Sequence, residues 1–191
     1  PATVPDVASL NPIELLDDVS EAVPGLDGRL STTLNILVLL TVLSLAPSIL
    51  ILCTCFTRIV IVLGLLKQAL GTQSLPPSQV IVGLSLFITL VVMTPTLSAM
   101  YERGIKPYVD GEVDSYETAW DDTKQPLRDF MFSQIEATGN WSGVYMMMNY
   151  RGIDTSDPST LVRSDVDMLT LIPAYVLSEL KVAFLIGFRI Y

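Results

Sequence analysis

The sequence predicts an all-α, membrane-associated protein of helical hairpins, with a small helical extracytoplasmic domain inserted between its second and third apolar segments. Half of the 191 residues are hydrophobic and only 16% are charged, unlike an ordinary soluble domain. Two long stretches, 32–57 and 79–100, contain no charged residue. In the polar region between the apolar segments, the large apolar residues recur at helical spacing. These three observations favour membrane-associated helices over a sheet.

The first apolar segment covers 32–57, which at a rise of ~1.5 Å per residue is long enough to cross a ~30 Å hydrocarbon core. Pro47 lies in its interior and predicts a kink or a break near Ala46, since proline removes one backbone donor. The apolar pattern continues beyond the segment between Arg58 and Lys67 and ends in a glycine. The sequence therefore predicts a long, bent helix with a C-terminal cap at this glycine.

A turn follows at "TQSLPPSQ", because the consecutive Pro76 and Pro77 cannot continue a helix. The second apolar segment, 79–100, contains Pro95 in its interior, and the two segments predict a hairpin within 33–100. The turn is flanked by two bases and no acid, which places it on the cytoplasmic side.

The remaining domains follow from this orientation. Residues 1–32 are predicted to form an acidic, flexible leader, and residues 101–164 a periplasmic helical domain. Within that domain we expect one helix at 114–122, capped by its first aspartate, and another at 123–137. The third apolar region, 165–191, begins near Ser164 and contains Pro173 and Gly187 as further positions for a turn or kink.

Two opposite charges, Glu179 and Lys181, lie inside this third apolar region. Two residues correspond to about 200° around a helix, so these side chains cannot pair with each other. Arg58 and Lys67 are the available bases for Glu179, whereas Lys181 has no other acid in the apolar segments. An unpaired charge is costly at the centre of a membrane, which indicates contacts with other subunits or a hydrated lumen. The alternative is that both charges lie near the membrane surface and extend towards water.

Several classes of function are excluded or disfavoured. The chain has no histidine, which excludes Ser-His and Cys-His catalysis and histidine-ligated metals. Cys53 and Cys55 are expected to be buried free thiols. No phosphate-binding loop or metalloprotease motif is present, and a net charge of −9 argues against nucleic acid as a partner. The expectation is a protein without enzymatic activity and without cofactors.

Two blocks of the sequence resemble the FliP family of flagellar type III export-gate proteins. They are 45–95, with "FTRI", "QALGTQ", "PP", "QV" and "VGL" in order, and 173–188, with "SELK". The block "ALGTQ…PPSQVIVGL" is closer to the flagellar branch than to the injectisome counterpart. Family members continue through further hydrophobic helices and a methionine-rich loop, which these 191 residues lack.

The resemblance implies a structural subunit of a protein-conducting channel in the bacterial inner membrane and on its periplasmic side, within the flagellar basal body. It implies about five copies of the subunit in a symmetric assembly. The partners implied are FliQ-like and FliR-like subunits, FlhA-like and FlhB-like export proteins, membrane lipid and unfolded flagellar substrates. It also implies that the assembly stands largely above the membrane plane, so that helix neighbours replace some lipid. A small membrane channel or transporter that acts without FliQ-like or FliR-like partners is the alternative.

Overall fold

The computed structural model describes residues 36–37, 39–41, 43–45, 47–48, 51–71, 76–156 and 162–190. The predicted leader and Ala46 lie outside these residues. The chain divides into two compact units, Pro1–Leu50 and Ile51–Tyr191. In the first unit the described residues, including Pro47, are helical.

The described residues of the second unit form six complete α-helices and no β-strand. The helices are α1 Phe56–Ala69, α2 Ser78–Met100, α3 Lys106–Val109, α4 Tyr116–Thr138, α5 Trp141–Tyr150 and α6 Met168–Ile190. The predicted all-α fold class is thereby confirmed.

The helix α1 begins immediately after a short non-helical turn at 53–55, so the long, continuous helix that the sequence predicts is interrupted there. Cys53 and Cys55 are both buried in this turn and both are free thiols, as the sequence predicts. At the other end, Gly71 adopts a left-handed conformation (φ 70°) and donates its N–H to the Gln68 carbonyl at 3.0 Å. This conformation is costly for any residue with a Cβ, which explains why a glycine ends the helix.

Helices α1 and α2 pack against each other as the predicted hairpin. Pro76 and Pro77 immediately precede α2, and Pro77 occupies its N-cap position. The helix continues through Pro95 instead of ending there.

Beyond α2 the chain passes through a π-helical turn, Tyr101–Ile105, into α3, so that the helical run extends over Ser78–Val109. Pro107 has no N–H to donate to the carbonyl four residues earlier, and its ring would collide with that carbonyl in an α-helix. The wider π turn relieves both problems. Within this turn Gly104 lies so close to α4 that a Cβ would be 2.5 Å from the Thr123 backbone nitrogen. The glycine therefore permits the close crossing of the two helices.

The polar region contains one long helix, α4, where the sequence predicts two, so that prediction is wrong. No glycine or proline separates the two predicted helices, and the apolar face continues across the expected break. The N-cap is Ser115, which accepts the N–H of Thr118 at 3.5 Å, rather than the preceding aspartate. Helix α4 ends at Gly139, which has φ 65°.

The last helix, α6, begins at Met168, four residues later than the predicted start near Ser164. A short 3₁₀ turn, Arg163–Asp165, precedes it. The carboxylate of Asp167 accepts the N–H of Thr170 at 3.0 Å and so caps the helix. Helix α6 then runs through Pro173 and Gly187 without interruption.

Helix α6 lies at the centre of the second unit, because it contacts α1, α4 and α5. The fully buried side chains around it include Leu171, Tyr175, Phe132 and Ile135. Close packing with α1 depends on Gly187, since a Cβ there would lie 2.2 Å from a methyl carbon of Leu65. Two of the described helices are long and apolar enough to cross a membrane, Ser78–Val109 and Met168–Ile190. The periplasmic location of 101–164 stays a prediction.

Candidate functional site

The buried charge of α6 is Glu179, whose side chain is 0% exposed. Arg58, in the first turn of α1, donates from Nε to Glu179 Oε2 at 2.8 Å and from Nη2 to Glu179 Oε1. The Arg58 side chain is 23% exposed, so one partner is fully desolvated and the other is only partly so. Both carboxylate oxygens are thus satisfied by one planar donor group, the geometry that most favours a buried pair.

A third side chain completes this ion pair. The Arg58 Nη2 also donates to Gln134 Oε1 on α4 at 3.0 Å. The cluster therefore joins α1, α4 and α6 at one point, and α6 supplies its only negative charge.

Lys181 has a different environment from Glu179, because it is exposed. Its Nζ donates to the side-chain oxygen of Asn140 at 2.7 Å. The Asn140 amide nitrogen in turn donates to Thr138 Oγ1 and to Ser178 Oγ, both at 2.9 Å. Asn140 is only 5% exposed and occupies the N-cap position of α5, yet its side chain caps no backbone N–H there. It links the corner between α4 and α5 to α6 instead.

We define the polar belt as these seven residues, which connect α1 and the α4–α5 corner to the middle of α6: Arg58, Gln134, Thr138, Asn140, Ser178, Glu179 and Lys181. Sequence reasoning found its three charged members and missed the amides and hydroxyls. The sequence does contain a pattern that indicates Gln134 and Thr138, because they are four residues apart on one face of α4 and lie beside the buried Ile135.

Of the two bases that the sequence offers to Glu179, the structure brings only Arg58 to it. Lys67 lies nine residues further along α1, a rise of about 14 Å. There it lines a cavity of about 640 Å³ at the turn end of the hairpin, together with Gln68 and Ser78.

A second ionic contact stabilises the start of α6. Arg151 donates to the carboxylate of Asp167 and, at 3.0 Å, to the Thr170 hydroxyl. Burial alone would raise the pKa of Asp167, but the hydrogen bonds from Arg151 and Thr170, together with the Arg151 charge, hold this pKa below its usual value.

The polar belt has the properties of a structural clamp. Its hydrogen bonds fix three helices relative to one another, and none of its members is a histidine or a cysteine. Within the part of the chain that the structure describes, no cluster of three or more histidine, cysteine or carboxylate residues could hold a metal ion. The geometry supports positioning of helices.

Comparison with known proteins identifies the family of this chain. The model of the FliP family matches residues 39–191, which include every member of the belt. The chain is 42% identical over 163 residues to the flagellar biosynthetic protein FliP of Bacillus subtilis, covering 85% of this chain and 70% of that protein.

The proteins of the same name from Treponema pallidum and Caulobacter vibrioides are both 41% identical, over 88% and 80% of this chain. The chain spans only 59% and 54% of the length of these two relatives. A family match over most of the chain and identities of this size lead to one conclusion: the chain belongs to the FliP family.

Proposed function

We propose that this chain is a structural subunit of the flagellar protein export apparatus. The observation that carries the proposal is the family match over 39–191, together with relatives that are named flagellar biosynthetic proteins. In this role the chain forms part of an oligomeric channel for unfolded export substrates. It carries out no chemical step itself.

The architecture of the second unit supports such a role. The polar belt holds α1, α4 and α6 together inside one chain, which gives the subunit a defined shape. Helix α2, in contrast, has many large apolar side chains on its surface, including Phe87 and Leu90 at 65% and 60% exposure. Exposed apolar surface of this extent is typical of contact with lipid or with other apolar helices.

The assembly that we propose contains about five copies of this subunit arranged by symmetry. FliQ-like and FliR-like subunits complete it, and FlhA-like and FlhB-like proteins deliver substrates to it. Its location is the bacterial inner membrane and its periplasmic side, in the flagellar basal body.

Deletion and complementation in the native bacterium test this proposal. Loss of the gene should abolish flagella and swimming, and the intact gene supplied from a plasmid should restore both. A tagged copy should co-purify with FliQ-like and FliR-like proteins. Normal flagella in the deletion strain would contradict the proposal.

Reconstitution separates this proposal from that of an independent channel. Vesicles that contain the purified gene product alone should show no flux of small solutes above the level of empty vesicles. Solute flux with this protein alone would contradict a role that requires partner subunits and would favour a small channel or transporter.

A further inference from the structure

The helical run that contains α2 is irregular where it crosses α4. The π-helical turn, Tyr101–Ile105, is closed by a hydrogen bond from the N–H of Lys106 to the carbonyl five residues back. Pro95 lies before this turn and Pro107 after it, and each lacks the N–H that a regular α-helix needs. Regular hydrogen bonding is therefore reduced over 95–107, so the run bends most easily there.

The π turn is anchored to α4 at one point. Gly104, within the turn, is buried, and a Cβ on it would lie 2.5 Å from the backbone nitrogen of Thr123 and 2.6 Å from its Cα. The two backbones thus touch without an intervening side chain, and such close packing resists displacement of this point. The crossing therefore has the geometry of a fulcrum, about which the rest of the run can turn.

Helix α2 itself is held weakly by its neighbours. Its buried side chains are Ser85, Thr89 and Met93. The hydroxyls of Ser85 and Thr89 donate to carbonyls of α2 itself, both at 2.7 Å, rather than to another helix. The polar belt, in contrast, joins α1, α4 and α6 and has no member on α2. A helix with few buried side chains is the element of a unit that moves most easily.

A gap lies between α1 and α2 at the end of α2 that is far from this crossing. The cavity of about 640 Å³ at the turn end of the hairpin is lined by Val60 and Gly64 of α1 and by Ile81 and Val82 of α2. A Cβ on Gly64 would meet no atom within 4 Å. An arm that turns about the π turn moves most at its far end, and the open space lies at that end.

We propose that α2 is the moving arm of a hinge at the π turn and that it swings towards α1 to close the cavity. The polar belt holds α1, α4 and α6 in place during this movement. From Val80 to Tyr101 the run rises about 31 Å, so a swing of about 10° moves the far end by about 5 Å. Such a hinge is a property of the chain itself and exists whether or not the export role is correct.

Distances between spin labels, measured by pulsed electron paramagnetic resonance on the full gene product in lipid nanodiscs, test the hinge. Labels attached through a noncanonical amino acid leave the two native cysteines in place. One label is at the exposed Ala137 on α4, and the other is at Val80 on α2 (54% exposed) or at Val109 beyond the π turn (75%). We expect the Val80 distance distribution to be about 5 Å broader than the Val109 distribution. Equal widths would overturn the hinge.

A side chain added to the cavity tests the direction of the swing. Gly64→Leu fills part of the gap and should narrow the Val80 distribution to nearly the width found for Val109. Gly83→Leu is the matched control, because it adds the same side chain to α2 outside the cavity, where a Cβ meets no atom within 4 Å. The Val80 distribution should keep its width in this control.

Two results would contradict the swing towards α1. They are an unchanged Val80 distribution in Gly64→Leu and equal narrowing of that distribution in the two leucine variants. The comparison of Val80 with Val109 needs no substitution in the cavity, so it decides on the hinge even if Gly64→Leu does not fold.

Discussion

Helices α2 and α6 are both apolar, yet they occupy opposite positions in the second unit. The most apolar stretch of the run that contains α2 has a mean hydropathy of 2.3, and 17% of it is buried. The corresponding values for α6 are 1.7 and 39%. The less apolar helix is thus the more central one, because its charged and polar side chains need partners from several neighbouring helices. Hydropathy indicates which segments avoid water, whereas internal charges indicate which segment is surrounded by protein.

Removing the central charge is expected to give the largest effect. Glu179→Ala should destabilise the chain by about 3–5 kcal/mol, because it leaves the partly buried Arg58 without its counter-ion. Because the pair lies within one chain, this loss should appear in the unfolding of the purified protein in detergent. Asp122→Ala, on the exposed surface of α4, is the control and should change the free energy of unfolding by less than about 0.5 kcal/mol. Equal losses in both variants would show that Glu179 is no more important for stability than an exposed surface acid.

Truncating one apolar side chain on α2 and one on α6 compares how much each helix contributes to the free energy of unfolding. Leu171→Ala on α6, where the side chain is 0% exposed, should cost about 2–5 kcal/mol through lost burial and a cavity. Phe87→Ala on α2, where the side chain is 65% exposed, should cost no more than about 0.5 kcal/mol in detergent. Thermal unfolding followed by circular dichroism measures both. A larger loss for Phe87→Ala would contradict the outward position of α2.

Alanine substitutions at one glycine of α6 and one of α2 compare how closely the two helices are packed. Gly187→Ala on α6 should destabilise by about 1 kcal/mol, since the new methyl group meets Leu65, which can turn aside only partly. Gly83→Ala on α2 meets no atom within 4 Å and should instead stabilise by about 1 kcal/mol through helix propensity. Leu65→Val combined with Gly187→Ala should recover part of the loss. Effects of the same sign at both glycines would contradict the packing described for α6.

An effect of similar size, but dependent on pH, is expected at the start of α6. Asp167→Ala should cost about 1 kcal/mol through loss of the N-cap. The folded pKa of Asp167 lies below its ordinary value of about 3.9. Its contribution is therefore fully present above that ordinary value and disappears as the pH falls through the lower folded pKa.

Unfolding measured between pH 2 and pH 7 should thus show a shallower acid dependence in Asp167→Asn than in the wild type. Thr118→Ala, on the exposed surface of α4, removes no titratable group and is the control, which should leave the profile unchanged. If Asp167→Asn has the same acid dependence of unfolding as the wild type, the claim that the Asp167 carboxylate is stabilised in the folded protein is wrong.

Much of this architecture could be predicted because it depends on local sequence. Charge-free length predicted the apolar helices, Pro76 and Pro77 predicted the turn, and two-residue spacing predicted that Glu179 and Lys181 point to different sides. The roles of Gln134 and Asn140 could not be predicted, because neutral amides have no obligatory partner and their contacts arise only when α4 and α6 meet. A single helix α4 is compatible with the sequence, because no glycine or proline separates the two predicted halves, but only the structure shows that they are continuous.

The central claim is that the ion pair between Arg58 and Glu179 forms within one chain and makes α6 the core of the unit. A double-mutant cycle with Arg58→Met and Glu179→Gln, measured by unfolding of the purified protein, tests it most directly. We expect a coupling free energy above about 1 kcal/mol when both substitutions are in the same chain. Losses that add to within about 0.5 kcal/mol would show that the two side chains do not pair within the chain and would contradict this account.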